Sequence, residues 1–367
     1  MTNQFCADIH NNLALTLTNT GIKVGACCWY QDNVIVPIGT DLWNLPKLHE
    51  LRQLNKTDQL PATGCSQCIY MEQHGDTSRR TGVNAYYNST ATDLPGPRGL
   101  EIKIDYTCNI ACVYCGPYNS TKWRLEQNTP KTRFPIRLSR PDIVAMLDTL
   151  DLTNLDNIHF YGGDPLLTDT HEVILNYIDQ RIGLKKMYIW YNTNGTVRVS
   201  QRVLDLWEKC RIVKVFFSID DVGKRFEFIR YGAVWNEVED NMLWFKDSCP
   251  VNTMFTIQPT MSCLNALHHY QLVNWKHKHF DTNRLGDLVD ITRHNVFRSL
   301  ELDSMPPALM QHCLDKNHTD QWFVEFVSSF KFDQTKHRQT RYKIAQLCTS
   351  RNLDFAEFFP DLVEYFS

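Results

Sequence analysis

Residues 104–117 read IDYTCNIACVYCGP, and they continue out of a strand-like run, Leu100–Asp105. Cys108, Cys112 and Cys115 stand there in a C-x3-C-x2-C spacing, on what reads as the loop leaving a strand. Three thiolates on one loop can hold three corners of a cube-shaped iron–sulfur cluster, and the loop has no fourth to offer. One iron is then open to a ligand that is not protein, which points to chemistry rather than electron storage. Taken alone, the spacing also suits a zinc or electron-transfer site.

Working outward, strand-like runs recur at Leu100–Asp105, Asn157–Tyr161, Met187–Asn192, Ile212–Ile219, Asn252–Ile257 and Leu288–Thr292. Helix-like runs fall between them. Ser139 followed by Asp142 forms a capping-box pattern, and Thr168 and Ser200 are candidate N-caps for the next two helices. Strand and helix in steady alternation predict a parallel sheet with crossover helices outside it. Ligands of such sheets bind at the C-terminal ends of the strands. Four polar or glycine-rich strand ends converge there: CNIACVYC, GGDP (162–165), NTNGT (192–196) and SID (218–220). Before the first run, TATDLPGPRG (90–99) reads as a linker. From Ser304 onward the pattern turns helical, with aromatic stripes WFVEFVSSF and FAEFFPDLVEYF that read as core-facing helix faces.

Composition narrows the class. A chain of 367 residues has enough apolar material for a sizeable core, and its formal charge of −3 gives no basic field to draw in nucleic acid. The basic clusters Lys131–Arg140 and Lys276 with Lys278 read as solvated faces. The opening residues MTNQFCADIH show no leader pattern and no apolar stretch is long enough to span a bilayer, so a cytoplasmic location away from membranes is expected. Thirteen cysteines are many for such a chain, and a disulfide framework belongs to small secreted domains. Cys210, Cys249, Cys263, Cys313 and Cys348 are scattered singly and read as small buried hydrophobes. Metal thiolates account better for the triplet and for Cys6, Cys27, Cys28, Cys65 and Cys68.

With its aromatic Tyr114, the triplet resembles that of the radical S-adenosylmethionine (SAM) superfamily. Gly162-Gly163-Asp164-Pro165 stands in the GGEP position, followed by Asn192-Thr193-Asn194-Gly195, Ser218-Ile219-Asp220 and Arg230-Tyr231-Gly232. The resemblance implies a [4Fe–4S] cluster on Cys108, Cys112 and Cys115, whose open iron chelates SAM. One electron then cleaves SAM to a 5′-deoxyadenosyl radical that abstracts hydrogen from substrate. By the same resemblance Gly162, Gly163 and Asp164 meet the amino end of SAM, Ser218 and Arg230 its carboxylate and ribose, and Asn192 and Asn194 the ribose hydroxyls. Tyr114 packs near the adenine, and Gln258 closes the fifth run nearby. His159 reads as a satisfied core histidine sooner than as a barrel-interior group. Asp105 and Asp220 end strands near the site, but no catalytic acid or base is assigned.

The N-terminal third resembles the twitch or SPASM auxiliary-cluster module of the same superfamily. Its pattern is Phe5-Cys6, a turn at Gly21, Cys27-Cys28, Leu42-Trp43-Asn44, then Cys65-x2-Cys68 with Glu72, Gly75, Ser78 and Arg79. Cys6, one of Cys27 or Cys28, Cys65 and Cys68 would close an auxiliary [4Fe–4S] cluster. Neighbours on a strand point to opposite faces, so only one of the doublet can serve, with Cys27 favoured. Structural zinc on Cys65-x2-Cys68 is the competing reading. The expected architecture is α/β. A twitch/SPASM-like domain at 1–92 precedes a partial (β/α)6 TIM-type barrel at 93–300, and a helical extension at 301–367 follows. The expected activity is radical modification, by oxidation or cross-linking, of a peptide or protein side chain. A radical dehydrogenase or rearrangement enzyme on a small metabolite such as a sugar alcohol is the alternative, and a non-catalytic iron–sulfur or zinc protein the alternative of another class. A flavodoxin- or ferredoxin-type electron donor is implied.

Overall fold

A computed structural model describes residues 4–18, 20–87, 93–103, 106–130, 138–280 and 300–366. Its strands are β1 (Asn12–Thr18), β2 (Gly21–Gly25), β3 (Val34–Val36), β4 (Gly99–Lys103), β5 (Asn157–Phe160), β6 (Tyr188–Thr193), β7 (Ile212–Phe217) and β8 (Thr253–Ile257). They form one sheet in the order β3-β2-β1-β4-β5-β6-β7-β8. From β4 to β8 every pairing is parallel, and β1 also lies parallel to β4, while β2 and β3 add an antiparallel edge. The fold is therefore α/β with a parallel sheet of partial TIM-barrel type, followed by C-terminal helices.

Five of the six expected strand runs are present. The sixth, Leu288–Thr292, lies outside the described residues, as do residues 90–92 of the expected linker, Asp105 and residues 131–137 of the first basic cluster. The N-terminal third does not stand apart as a sheet of its own: β1 pairs with β4 through Leu13 opposite Leu100 and Leu15 opposite Ile102. The sheet thus runs across the boundary expected at residue 92. The driving force is burial. Leu13, Leu15 and Leu17 alternate with smaller or polar residues, so one face of β1 must be covered, and β4 offers a matching apolar row.

The sheet has two chemically distinct faces. Leu100, Ile102, Ile158, Phe160, Ile189, Tyr191, Val213, Val215, Phe217, Phe255 and Ile257 point one way and are essentially buried. That face packs under the crossover helices Thr170–Ile182, Gln201–Lys209 and Trp235–Ser248. The opposite face carries rows set by strand register. One reads Glu101, His159, Trp190, Lys214 and Met254. The next includes Asn192, Phe216 and Thr256. Along β6 and β7 these inner residues are only half-buried and alternate with fully buried ones, as they must if one face lines a hollow.

Helix starts follow their local chemistry. The Ser139 capping box forms with Asp142, and Ser200 accepts from the Val203 amide. Thr168 does not cap: the helix begins at Thr170 with Asp169 in the N-cap position, because a short 3-10 turn over Pro165–Leu167 uses Thr168 as its end. The C-terminal helices Pro307–Lys316, Gln321–Ser328 and Gln334–Arg351 build a second core. There Phe323, Leu347 and Phe359 pack with Ala111, Val113 and Tyr114 of the cysteine loop and with Trp123 of the short helix Thr121–Glu126 that follows it.

Candidate active site

The loop leaving β4 is held from several sides. Ala111 N donates to Tyr231 O at 2.7 Å and Val113 N to Ile229 O at 2.9 Å, so the loop lies along the segment that carries Arg230. Trp123 Nε1 donates to Cys112 O at 2.8 Å, and Thr121 Oγ1 donates to Cys108 O at 2.8 Å. Arg351 of the C-terminal helix donates to Ala111 O at 2.8 Å and pairs with Glu126. Three cysteines four and three residues apart are thereby fixed on one wall.

That wall belongs to a cavity of about 290 Å³ at the C-terminal ends of the parallel strands. Cys108, Cys112, Cys115, Tyr114, Gly162, Gly163, Asn192, Asn194, Ser218 and Arg230 all line it. Larger hollows of about 540 and 510 Å³ lie against helix Gln334–Arg351 and gather neither the strand ends nor the triplet. Of the expected site residues at this end, Asp164 and Gln258 stand outside the cavity lining. Lys103 and Thr260 join it unforeseen. Lys103 was legible: it shares the inward face of β4 with Glu101, two residues earlier, by strand alternation.

The glycine-rich turn has two separate jobs. Gly162 adopts φ +132°, which only glycine takes readily. A Cβ on Gly163 would sit 2.3 Å from Thr107 O, so this glycine is required by the backbone of the cysteine loop pressing against it. Asp164 N donates to the same carbonyl at 2.7 Å, locking turn and loop together. Asp164 itself is 2 % exposed, and its carboxylate accepts from Leu166 N, Thr193 Oγ1 and Asn194 N at 3.0, 2.9 and 2.7 Å. The expected partner for an ammonium group is instead occupied in joining the ends of β5 and β6.

Arg230 is held in the same way. Its Nε and Nη2 donate to the two carboxylate oxygens of Asp220 at 2.6 and 3.0 Å, a fork-to-fork ion pair in the interior. Asp220 Oδ1 also accepts from Thr260 N at 2.7 Å. The remaining arm, Nη1, donates to Cys112 Sγ at 3.5 Å. Asn194 Nδ2 reaches Cys108 Sγ at 3.8 Å and Asn109 Oδ1 at 3.1 Å. Tyr114 hydroxyl meets Ser262 Oγ at 2.6 Å, and Asn192 Nδ2 donates to Gln258 Oε1 at 2.8 Å. His159 Nε2 meets Asn192 Oδ1 at 2.5 Å, so this histidine is both satisfied and on the inner face, and burial pushes its pKa down.

Burial pushes the thiols up, to about 12 for Cys108 and about 11 for Cys115, each helped by neighbouring Cys112. For Cys112 burial also raises the pKa, against the opposing charge of Arg230. Thiols held protonated in this way give up their protons to soft metals, for which thiolate is the preferred ligand. Three thiols on one wall, with N–H groups aimed at two of them and free volume in front, fit an iron–sulfur cluster with one open corner.

The N-terminal cysteines are arranged differently. Cys6, Cys27, Cys65 and Cys68 line one narrow hollow, about 20 Å³, with Asp8, Tyr30 and Arg80. Cys65 caps helix Ser66–Gln73, and Cys68 lies in its first turn. Glu72 accepts from Ser78 and pairs with Arg80, which ties this helix to Arg79–Tyr86. Cys28 is absent from the hollow. It is exposed, its amide donates to Glu101 Oε2 at 2.6 Å, and its sulfur accepts from Arg79 Nη1 at 3.5 Å. Arg79 also pairs with Asp8 and Glu101, so the doublet is split between the hollow and a charged cluster at β4. Among the described residues, no group of three or more His, Cys, Asp or Glu side chains is placed to hold a metal ion. The thiols of each set line a wall or hollow without closing on a point.

This combination of strand-end cavity, cysteine triplet and glycine turn defines a class. Residues 102–262 match the model of the Radical SAM superfamily, and the chain carries a domain of that superfamily there. A domain of that superfamily implies a [4Fe–4S] cluster and SAM. Among curated proteins, the chain is similar to molybdenum cofactor biosynthesis protein moc-5 of Caenorhabditis elegans, 25% identical over 146 residues, or 38% of this chain and 22% of that protein. It is also similar to GTP 3′,8-cyclase of Actinobacillus pleuropneumoniae serotype 3 (strain JL03), 26% identical over 126 residues, 34% of each chain. The matched segments thus span about a fifth to a third of the length of these relatives. Among solved structures it is similar to native anSMEcpe with bound AdoMet (20% identity, TM-score 0.38, 64% of this chain and 62% of that one). Streptococcus suis SuiB bound to S-adenosylmethionine is another (11% identity, TM-score 0.40, 95% and 76%). No helix among the described residues is long and apolar enough to cross a membrane.

Proposed function

We propose that the protein is a radical enzyme that binds a [4Fe–4S] cluster through Cys108, Cys112 and Cys115 and reductively cleaves SAM. The observation that carries this reading is that three thiols share one cavity with Gly162, Gly163, Asn192, Asn194, Ser218 and Arg230. Bound together, cluster and SAM supply a 5′-deoxyadenosyl radical that can take hydrogen from an unactivated carbon. The chain's own residues contribute position and exclusion. The Thr107–Gly163–Asp164 contacts fix the turn against the cysteine loop, and the Arg230–Asp220 pair fixes the segment that lies along that loop. Asn192 and Ser218 present polar groups to the space between, where the ribose and carboxylate of SAM are to be held.

We assign the N-terminal hollow to an auxiliary [4Fe–4S] cluster on Cys6, Cys27, Cys65 and Cys68, with Cys28 excluded. Four thiols suit either such a cluster or a single zinc ion; the company of the triplet is what favours the cluster.

For substrate, we favour a peptide or protein side chain, oxidised or cross-linked, because the N-terminal cysteine pattern resembles modules that accompany such enzymes. A small-molecule substrate is the second reading, favoured by the curated relatives that include a GTP 3′,8-cyclase.

The test is 5′-deoxyadenosine release from SAM by anaerobically reconstituted, dithionite-reduced protein. Release by the wild type and none from Cys112→Ala is expected. A fully iron-loaded wild type that makes none, even slowly, overturns the reading. Stimulation of that release by candidate peptides, compared with GTP and other small metabolites, decides between the two substrate classes.

A further inference from the structure

Arg230 stands where a guanidinium is expected to grip the carboxylate or ribose of SAM, yet its fork is already taken. Nε and Nη2 are committed to Asp220, whose Oδ1 accepts from Thr260 N and whose backbone carbonyl accepts from Asn265 Nδ2 at 2.9 Å. The pair is therefore anchored to the end of β7 and to the loop after β8. The other arm, Nη1, donates to Cys112 Sγ. On the other side of the loop Asn194, itself held by Asp164 through its amide, points Nδ2 at Cys108 Sγ. Two N–H donors, one of them cationic, thus converge on two of the three sulfurs.

Hydrogen bonds to the sulfurs, net charge and solvent exposure set the potential of an iron–sulfur cluster. Reduction adds negative charge, and a fixed cation with an N–H on a ligand sulfur stabilises the reduced form more than the oxidised one. The effect is larger in a buried site, where the dielectric is low. Arg230 is 9 % exposed and Asp220 2 %.

We infer that Arg230, and more weakly Asn194, raise the reduction potential of the triplet's cluster by donating to Cys112 and Cys108. This rests on the reading of the triplet as a cluster site. A purely structural ion pair would alter folding or iron retention when broken and leave the potential alone.

The experiment uses the full-length Cys65→Ala, Cys68→Ala chain, which retains only the triplet's cluster. Without SAM, the reduced cluster is followed by EPR through a redox titration. At the potential that half-reduces the parent, Arg230→Gln should show a reduced-to-oxidised ratio about tenfold lower, equivalent to about 59 mV for one electron. Asn194→Ala should move the same way by a smaller factor. A parent-like midpoint in iron-loaded Arg230→Gln overturns the inference while leaving the cluster reading intact. If Arg230→Gln takes up no iron, the parent labelled with 15N-arginine decides. Hyperfine coupling from an arginine nitrogen to the reduced cluster supports the inference, and its absence overturns it. A parent that builds no cluster on the triplet overturns this inference and the proposed function together.

Discussion

The two cysteine regions of this chain set the same kind of side chain in opposite surroundings. At the C-terminal ends of the strands, three thiols face a cavity of about 290 Å³ shared with polar side chains and a glycine turn. In the N-terminal hollow, four thiols surround about 20 Å³ with Asp8, Tyr30 and Arg80. One arrangement leaves both a coordination position and room in front of it. The other offers a full thiolate set and almost no room. Number of ligands and free volume together separate a reactive metal site from a closed one.

The largest effect that can break this contrast is on activity. Cys112→Ala should remove all SAM cleavage and about four of an expected eight irons per chain, counting four per cubane. Cys65→Ala should remove the other four while leaving measurable 5′-deoxyadenosine when turnover is uncoupled from product. Equal loss of cleavage from both would erase the distinction. Next comes the doublet. Cys27→Ser should behave like Cys65→Ala in iron content, whereas Cys28→Ser keeps the full complement, measured by iron and sulfide analysis. The reverse result would place Cys28 in the hollow.

Gly163→Ala sharpens the reactive side. Its methyl would meet Thr107 O at 2.3 Å and Tyr106 C at 2.6 Å, both backbone atoms, so the turn or the cysteine loop must shift. A cost of about 1–3 kcal/mol is expected in unfolding experiments, with iron at the triplet reduced and iron in the N-terminal hollow retained. The smallest effect on either region is expected from the scaffold behind them. His171 Nδ1 lies 3.0 Å from the Tyr191 hydroxyl, and burial pushes its pKa down to about 4. The fold favours the neutral ring, so this stabilisation is full above the ordinary value of about 6.5. It fades as pH falls from there through 4, by about 3 kcal/mol at most. His171→Gln should flatten the pH dependence of Tm in that window without altering iron content at pH 8. An unchanged pH profile would contradict it.

Much of the barrel is legible in the chain because its signals are local. Strands β4 to β8 announce themselves by short apolar runs closed by polar or glycine-rich ends, and Ser139 and Ser200 by their caps. The parallel join of β1 to β4 is not local. It pairs Leu13 with Leu100 across more than eighty residues, and nothing in NLALTLT names its partner. Charged residues mislead for a related reason. Asp8 and Glu101 are only 2 % and 4 % exposed because each pairs with Arg79 inside, a pairing that no spacing in the sequence announces. Asp164 and Arg230 were found by motif position, but their partners Thr193, Asn194 and Asp220 determine which of their atoms are available. Motif spacing reports which residue is present, and only three-dimensional contacts report which of its hydrogen bonds remain to be made.

The central claim is an iron with a vacant position at Cys108, Cys112 and Cys115. Adding SAM to the reduced Cys65→Ala, Cys68→Ala chain tests it most directly by EPR. A changed spectrum, with new g-values as SAM takes the open corner, is the predicted result. A cluster of four irons whose spectrum is identical with and without saturating SAM would contradict it.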